Sequence, residues 1–117
     1  MLRILSLLIM FFPSRVTAQP ALSLLEQLVA LKYSTPQIKT DPLARRIASQ
    51  DRTRLLIFDV RNPNEFAVSH IQDAIRVDPD MTGNEFARTF ANTIKGKDLV
   101  FYCSVGYRSS ILLDRVQ

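Results

Sequence analysis

Two continuous apolar runs are the strongest structural pattern in the chain. They occupy residues 55–58 and 99–102, and each leads into a loop-like segment. Short runs of this kind are typical of strands that are covered on both faces of a parallel sheet. A third short strand is predicted at residues 74–77, where Asp78-Pro79 ends it.

Helical spacing of apolar residues fills the intervals between these strands. Asp41 and Pro42 are typical of a helix start, the first as its cap and the second in its first turn. Alternating strands and helices indicate βαβ units, so we expect an α/β fold with a parallel sheet flanked by helices. The predicted helices are 22–32, 42–49, 64–67, 83–94 and 109–116, and residues 37–39 fit a short strand.

The first eighteen residues have the pattern of an export signal. Residues 1–3 are short and positive, residues 4–12 form a mostly apolar core, and residues 13–18 end in small residues, with cleavage predicted before Gln19. The core is shorter than the roughly 20 residues of a membrane-spanning helix. An uncleaved anchor or a misassigned start is the alternative interpretation. We expect an exported protein, periplasmic or secreted, without a stable membrane span after cleavage.

Composition excludes several function classes for the remaining chain, which divides into an N-terminal helix and linker (19–34) and one small domain (35–117). Arg3 and Arg15 lie in the predicted signal, so 13 of the 15 Lys and Arg residues remain against 11 Asp and Glu residues, an excess of only +2. No basic cluster is interleaved with aromatic residues, and no nucleic-acid partner is expected. One cysteine and one histidine are too few for an internal disulfide or a zinc site. We expect no metal and no cofactor.

The single cysteine, Cys103, directly follows the second apolar run and precedes a predicted helix. Open α/β sheets place ligand sites at this end of their strands. The N-terminus of the following helix favours negative charge, so we expect the thiolate, which is the reactive form of cysteine, to be stabilised there. The position indicates sulfur chemistry.

Two motifs resemble the signatures of rhodanese domains. The first is DVRNPNEF at residues 59–66, followed by His70-Ile71 and Ala74-Ile75, and the second is YCSVGYRS at residues 102–109. The resemblance implies a rhodanese-like parallel sheet flanked by helices, preceded here by the signal peptide and the N-terminal helix. It also implies a sulfurtransferase in which Cys103 takes a sulfane sulfur from a small donor as a persulfide. The acceptor would be a thiol or a cyanide-like compound.

The loop after Cys103 contains the other candidate substrate-binding residues. Successive loop N–H groups can hold an anionic persulfide, and Gly106 can adopt a backbone angle that other residues resist. Arg108 can bend back as a fixed positive charge for an oxyanion or a neighbouring carboxylate. Ser104, Val105 and Tyr107 are expected to act through backbone N–H groups and pocket shape, with a purely structural role as the alternative, and Tyr107 could also line the mouth.

Four residues outside the loop also match the first motif. Asp59 and Arg61 are expected to form a structural ion pair near the loop. His70 matches a position that is usually structural in the family, and Glu65 is expected to be a packing or hydrogen-bonding residue.

The sequence departs from the family pattern in the turn after the first motif and at its C-terminus. Ser69 and Gln72-Asp73 stand where glycine and Pro-Gly are common, although aspartate tolerates a left-handed backbone better than most residues. Family members usually continue through another strand and helix, whereas this chain stops at Gln117. We therefore expect a C-terminally truncated rhodanese-like domain.

Three functions are compatible with these residues. The first is a sulfurtransferase with a Cys103 nucleophile, and the second is a catalytically inactive rhodanese-like module that binds a partner or senses sulfur or redox state. The third is a phosphatase, which is disfavoured because four residues separate Cys103 from Arg108, whereas phosphatase loops on this fold have five. The oligomeric state stays open.

Overall fold

A computed structural model describes residues 4–8, 24, 27–29, 31–33, 36–104 and 106–117. It contains five strands, four α-helices and one 3-10 helix within these residues. The strands are β1 (Ile4–Leu8), β2 (Gln37–Ile38), β3 (Leu55–Asp59), β4 (Ile75–Arg76) and β5 (Asp98–Cys103). The helices are α1 (Thr40–Ala48), the 3-10 helix Gln50–Arg54, α2 (Pro63–Val68), α3 (Gly83–Phe90) and α4 (Tyr107–Val116).

The five strands form one parallel sheet in the order β2-β1-β5-β3-β4. Strand β5 lies at its centre, and Asp59 at the end of β3 is in register with Tyr102 of β5. Because parallel strands end at the same edge of a sheet, the loops after β3 and β5 are neighbours. The expected α/β fold is confirmed.

Residues from alternate positions of β3 and β5 enter two separate apolar clusters. Phe58 and Phe101 belong to the first cluster, in which their rings stack with centroids 5.1 Å apart. Ile57 and Val100 belong to the second cluster, with Leu43 of α1. Successive side chains of a strand point to opposite faces, so the two clusters cover the two faces of the sheet. This explains why the sequence shows continuous apolar runs here instead of alternation.

Strand β1 was not expected from the sequence. Residues 4–8 pair with both β2 and β5, and Leu8 is the register partner of Cys103. These residues belong to the predicted core of the export signal, since a short apolar run fits either a strand or a signal core. The export signal stays a prediction, and cleavage before Gln19 would remove this strand from the sheet.

Several predicted boundaries are confirmed within a few residues, and others shift. Helix α3 ends at Phe90 and not at residue 94, because residues 91–93 form turns. Helix α4 begins at Tyr107, two residues earlier than predicted. Asp73 stands where the family commonly has glycine, and its φ is 63°. Aspartate tolerates this left-handed conformation better than most residues.

The predicted N-terminal elements are described only in part. Residues 24, 27–29, 31 and 32 have helical backbone, in agreement with the predicted helix. The remainder of the predicted signal and Val105 lie outside the described residues. In the part of the chain that the structure describes, no helix is long and apolar enough to cross a membrane.

Candidate active-site loop

Cys103 is the last residue of β5, and only three residues separate it from the first residue of α4. Gly106 caps α4 with φ 79° and ψ −6°, a left-handed conformation that glycine adopts without steric cost. The chain therefore turns from the central strand directly into a helix, and the backbone angle predicted for Gly106 is confirmed. The N-terminus of α4 follows the thiol in this turn, where its unpaired N–H groups favour an anion.

The Cys103 side chain is buried, although a nucleophile has to be reached by the sulfur donor. The residue is 1% exposed. Its Sγ lies 3.6 Å from the hydroxyl of Ser109, which is fully buried and donates a hydrogen bond to the Gly106 carbonyl at 3.2 Å. A sulfur donor can therefore reach Sγ only after the surroundings of Cys103 have rearranged. The thiol does have a polar neighbour and is not enclosed by apolar atoms alone.

Arg108 folds back onto the loop and forms a bidentate ion pair with Glu65 of α2. Its Nη1 donates to Oε2 at 2.8 Å and its Nη2 donates to Oε1 at 3.0 Å. The Ser104 hydroxyl donates to the same carboxylate at 3.2 Å and accepts from Arg108 Nη2 at 3.1 Å. Of the two partners that the sequence allowed for Arg108, the structure places the neighbouring carboxylate beside it.

The ion pair shifts the pKa of both partners. Hydrogen bonds from Arg108, with smaller contributions from the Asn62 N–H and the Ser104 hydroxyl, lower the pKa of Glu65 to about 2. The pKa of Arg108 is raised, first by Glu65 and to a smaller extent by Cys103. Arg108 also follows Cys103 by five positions, across the short turn from β5 into α4.

A second ion pair joins Asp59, which is fully buried, to Arg61, whose side chain is 16% exposed. Arg61 donates to both carboxylate oxygens, at 2.8 and 2.6 Å, and to the carbonyl of Ser69 at 2.7 Å. The Tyr102 hydroxyl donates to Asp59 Oδ2 at 2.5 Å and accepts from the Ile71 N–H at 3.1 Å. Burial and the bond to Asp59 raise the pKa of Tyr102 to about 12. The network joins the ends of β3 and β5 to residues 69–71, which fits the predicted structural role.

The contacts of His70 among the described residues are with Phe66. Its Nδ1 is 2.8 Å from the Phe66 carbonyl, and its ring stacks on Phe66 with centroids 3.7 Å apart. These contacts fix the segment that follows α2. Among the described residues, no group of three or more His, Cys, Asp and Glu side chains lies close enough together to hold a metal ion.

Sequence reasoning missed several residues of the site. Ser109 was placed in the helix without a role, although it is the last residue of the second motif, six positions after Cys103. Tyr102 was assigned only to the apolar run. Tyr33, in the segment before the domain, contacts the ring of Tyr107 at the loop, and no local pattern predicts this contact.

Comparison with known proteins gives one match. The model of the rhodanese-like domain family matches residues 40–117. Neither curated proteins nor solved structures gave a match. The matched segment contains α1 to α4, the Asp59–Arg61 pair and the whole Cys103 loop, and it covers more than half of the sequence. This chain therefore belongs to the rhodanese-like domain family.

Proposed function

We propose that the protein is a sulfurtransferase in which Cys103 carries the transferred sulfur as a persulfide. The observation that supports this most is the position of the thiol. It lies at the end of the central strand and before the N-terminus of α4, five positions before Arg108. An anionic sulfur at this position gains from the helix dipole and from the guanidinium.

The reaction consists of two displacements at sulfur. The Cys103 thiolate attacks the outer sulfur of a donor such as thiosulfate, a Cys–S bond to that sulfur forms, and the donor S–S bond breaks with its electron pair leaving on sulfite. An acceptor such as cyanide or a thiolate then attacks the outer sulfur of the persulfide. The Cys103 thiolate leaves with the bonding pair, and no external oxidant or reductant is needed. A covalent intermediate of this type gives ping-pong kinetics.

The residues around the sulfur have different roles in this reaction. The Ser109 hydroxyl, 3.6 Å from Sγ, can turn its proton from the Gly106 carbonyl toward a thiolate. Arg108 supplies positive charge to the persulfide, while Glu65 and Ser104 fix its orientation. Gly106 permits the close turn that presents the loop.

The test uses thiosulfate with cyanide and follows thiocyanate formation. We expect turnover in the wild-type protein and none in Cys103→Ser, with unchanged circular dichroism. Because the chain has a single cysteine, mass spectrometry after thiosulfate treatment should show an addition of one sulfur atom in the wild type only. Equal turnover in the two proteins would refute the nucleophile assignment.

The burial of Cys103 supports a second candidate function, a rhodanese-like module that senses sulfur or binds a partner without turnover. A thiol with 1% exposure reacts slowly unless the loop opens. Persulfide formation without transfer to cyanide or to small thiols would favour this second function. Rapid transfer favours the enzyme.

We also propose that the protein is exported, on the pattern of residues 1–18. N-terminal sequencing of the protein recovered from the producing cell tests this. Gln19 as the first residue would support export with cleavage, whereas recovery of the chain with residues 4–8 intact in the cytoplasm would contradict it.

A further inference from the structure

Lys32, Tyr33 and Tyr107 form a small exposed cluster beside the Cys103 loop. Tyr107 is the first residue of α4 and is 44% exposed. The rings of Tyr33 and Tyr107 meet edge to face with centroids 6.0 Å apart. The Lys32 ammonium lies 5.4 Å from the centre of the Tyr33 ring and 5.5 Å from that of Tyr107. We name these three residues the aromatic rim.

The aromatic rim brings the N-terminal segment to the site. Lys32 and Tyr33 precede residue 40, where the match to the family begins. The segment contacts the domain through the ring pair of Tyr33 and Tyr107, and Val29 within the segment is buried. Two of the three rim residues therefore come from the part of the chain that precedes the family match.

The positive charges of Arg108 and Lys32 differ in whether a carboxylate neutralises them. Arg108 is bound by both oxygens of Glu65. Lys32 takes part in none of the four ion pairs found among the described residues. The neighbouring Tyr33 and, to a smaller extent, Tyr107 raise the pKa of Lys32, and a lysine ammonium is in any case fully charged at neutral pH. A ring face contacts one side of an ammonium and leaves its other N–H groups for an anion.

We propose that the aromatic rim binds the anionic head of the sulfur donor, the group that leaves when sulfur passes to Cys103. The ligand class is a small sulfane-sulfur compound with a negatively charged oxygen group, a sulfonate as in thiosulfate or a carboxylate as in glutathione persulfide. Lys32 contributes the charge, and the two tyrosines hold the ammonium in place beside the loop. This inference rests on the proposed sulfurtransferase function.

The first experiment measures persulfide formation on Cys103 in single turnover, as a function of donor concentration. For Lys32→Gln we expect the half-saturating concentration of thiosulfate to rise roughly fivefold, the effect of losing one charge contact at the protein surface. Lys39→Gln is the matched control, because it removes the same charge from an exposed position outside the rim. We expect it to behave like the wild type, and equal effects of both variants would overturn the proposal.

Donor chemistry supplies the second comparison. The persulfide of 2-mercaptoethanol has no charged head, so Lys32→Gln should leave its half-saturating concentration unchanged. Glutathione persulfide distinguishes a sulfonate from a carboxylate ligand. If Lys32→Gln raises the half-saturating concentration of thiosulfate alone, the rim binds sulfonates. If it raises the value for both donors, the rim binds either anion. Equal losses for all three donors would show a structural effect and overturn the proposal.

A binding measurement separates failure of this proposal from failure of the proposed function. The chain has no tryptophan, so its fluorescence comes from tyrosines, two of which lie in the rim. In the Cys103→Ser background, thiosulfate should change this fluorescence saturably, and adding Lys32→Gln should weaken binding by the same factor of roughly five. No saturable change would overturn the rim proposal. Binding without persulfide formation in the wild type would support the rim and refute the enzyme.

Discussion

Two arginine–carboxylate pairs at the same edge of the sheet have the same chemistry and different surroundings. In the Asp59–Arg61 pair the side chains are 0% and 16% exposed, whereas in the Glu65–Arg108 pair they are 35% and 27% exposed. Removing one member of a buried pair leaves a charge without solvent or partner, and this is costly. A half-exposed pair is partly solvated, so its contribution to stability is small. Burial therefore makes the first pair a structural element and leaves the second free to rearrange.

The elements that each pair joins support this division. Asp59 and Arg61 connect β3 to Tyr102 of β5 and to the Ser69 carbonyl, none of which belongs to the loop. Glu65 and Arg108 connect α2 to the start of α4, and the Ser104 hydroxyl joins them. The first pair joins the ends of β3 and β5, which we call the platform, and the second orients Arg108 at the Cys103 loop.

Substitution of Asp59 should have the largest effect on stability. Asp59→Asn leaves the largely buried Arg61 without its counter-charge, and we expect a loss of about 3 kcal/mol in the free energy of unfolding, measured in urea. Asp73→Asn is the matched control, since Asp73 is exposed and its nearest contact to Arg52 is 3.8 Å. Similar losses in both variants would contradict the distinction between buried and exposed pairs.

Substitution of Glu65 should affect the reaction more than the fold. Glu65→Gln removes the charge that orients Arg108, and we expect kcat for thiosulfate to fall roughly tenfold because the guanidinium is no longer held at the Cys103 loop. The freed charge should leave KM for thiosulfate unchanged or lower. Glu85→Gln, which caps α3 outside the site, is the control and should keep wild-type kinetics. A fall in stability as large as that of Asp59→Asn would show that both pairs are structural.

Removal of the Tyr102 hydroxyl tests how the buried pair is connected to β5. Tyr102→Phe deletes the bond to Asp59 and the acceptor for the Ile71 N–H, while Arg61 continues to neutralise Asp59. We expect a loss of about 1 kcal/mol in unfolding free energy. An unchanged free energy of unfolding would mean that the ion pair stabilises the platform without the Tyr102 hydroxyl.

The sequence predicted the platform well, because its signals are local. Continuous apolar runs identified β3 and β5, and Asp59 and Arg61 belong to one short motif at the end of a strand. The pairing of Glu65 with Arg108 spans 43 positions, and no periodicity in either segment specifies it. The burial of Cys103 likewise depends on how α4 packs on the sheet. Residues 4–8 show the limit of composition, because the same apolar run fits a signal core and a strand beside β5.

The pH dependence of the half-exposed pair gives the smallest and most specific prediction. Arg108 lowers the pKa of Glu65 from its ordinary value of 4.5 to about 2, so the folded state favours the ionised carboxylate. The stability that this provides is complete above pH 4.5 and is lost as the pH falls toward 2, because protonation removes the charge. The difference in unfolding free energy between the wild type and Glu65→Gln, below about 1 kcal/mol at neutral pH, should therefore shrink over this range. A difference that stays constant from pH 7 to pH 2 would show that the carboxylate acts through its shape and not through its charge on Arg108.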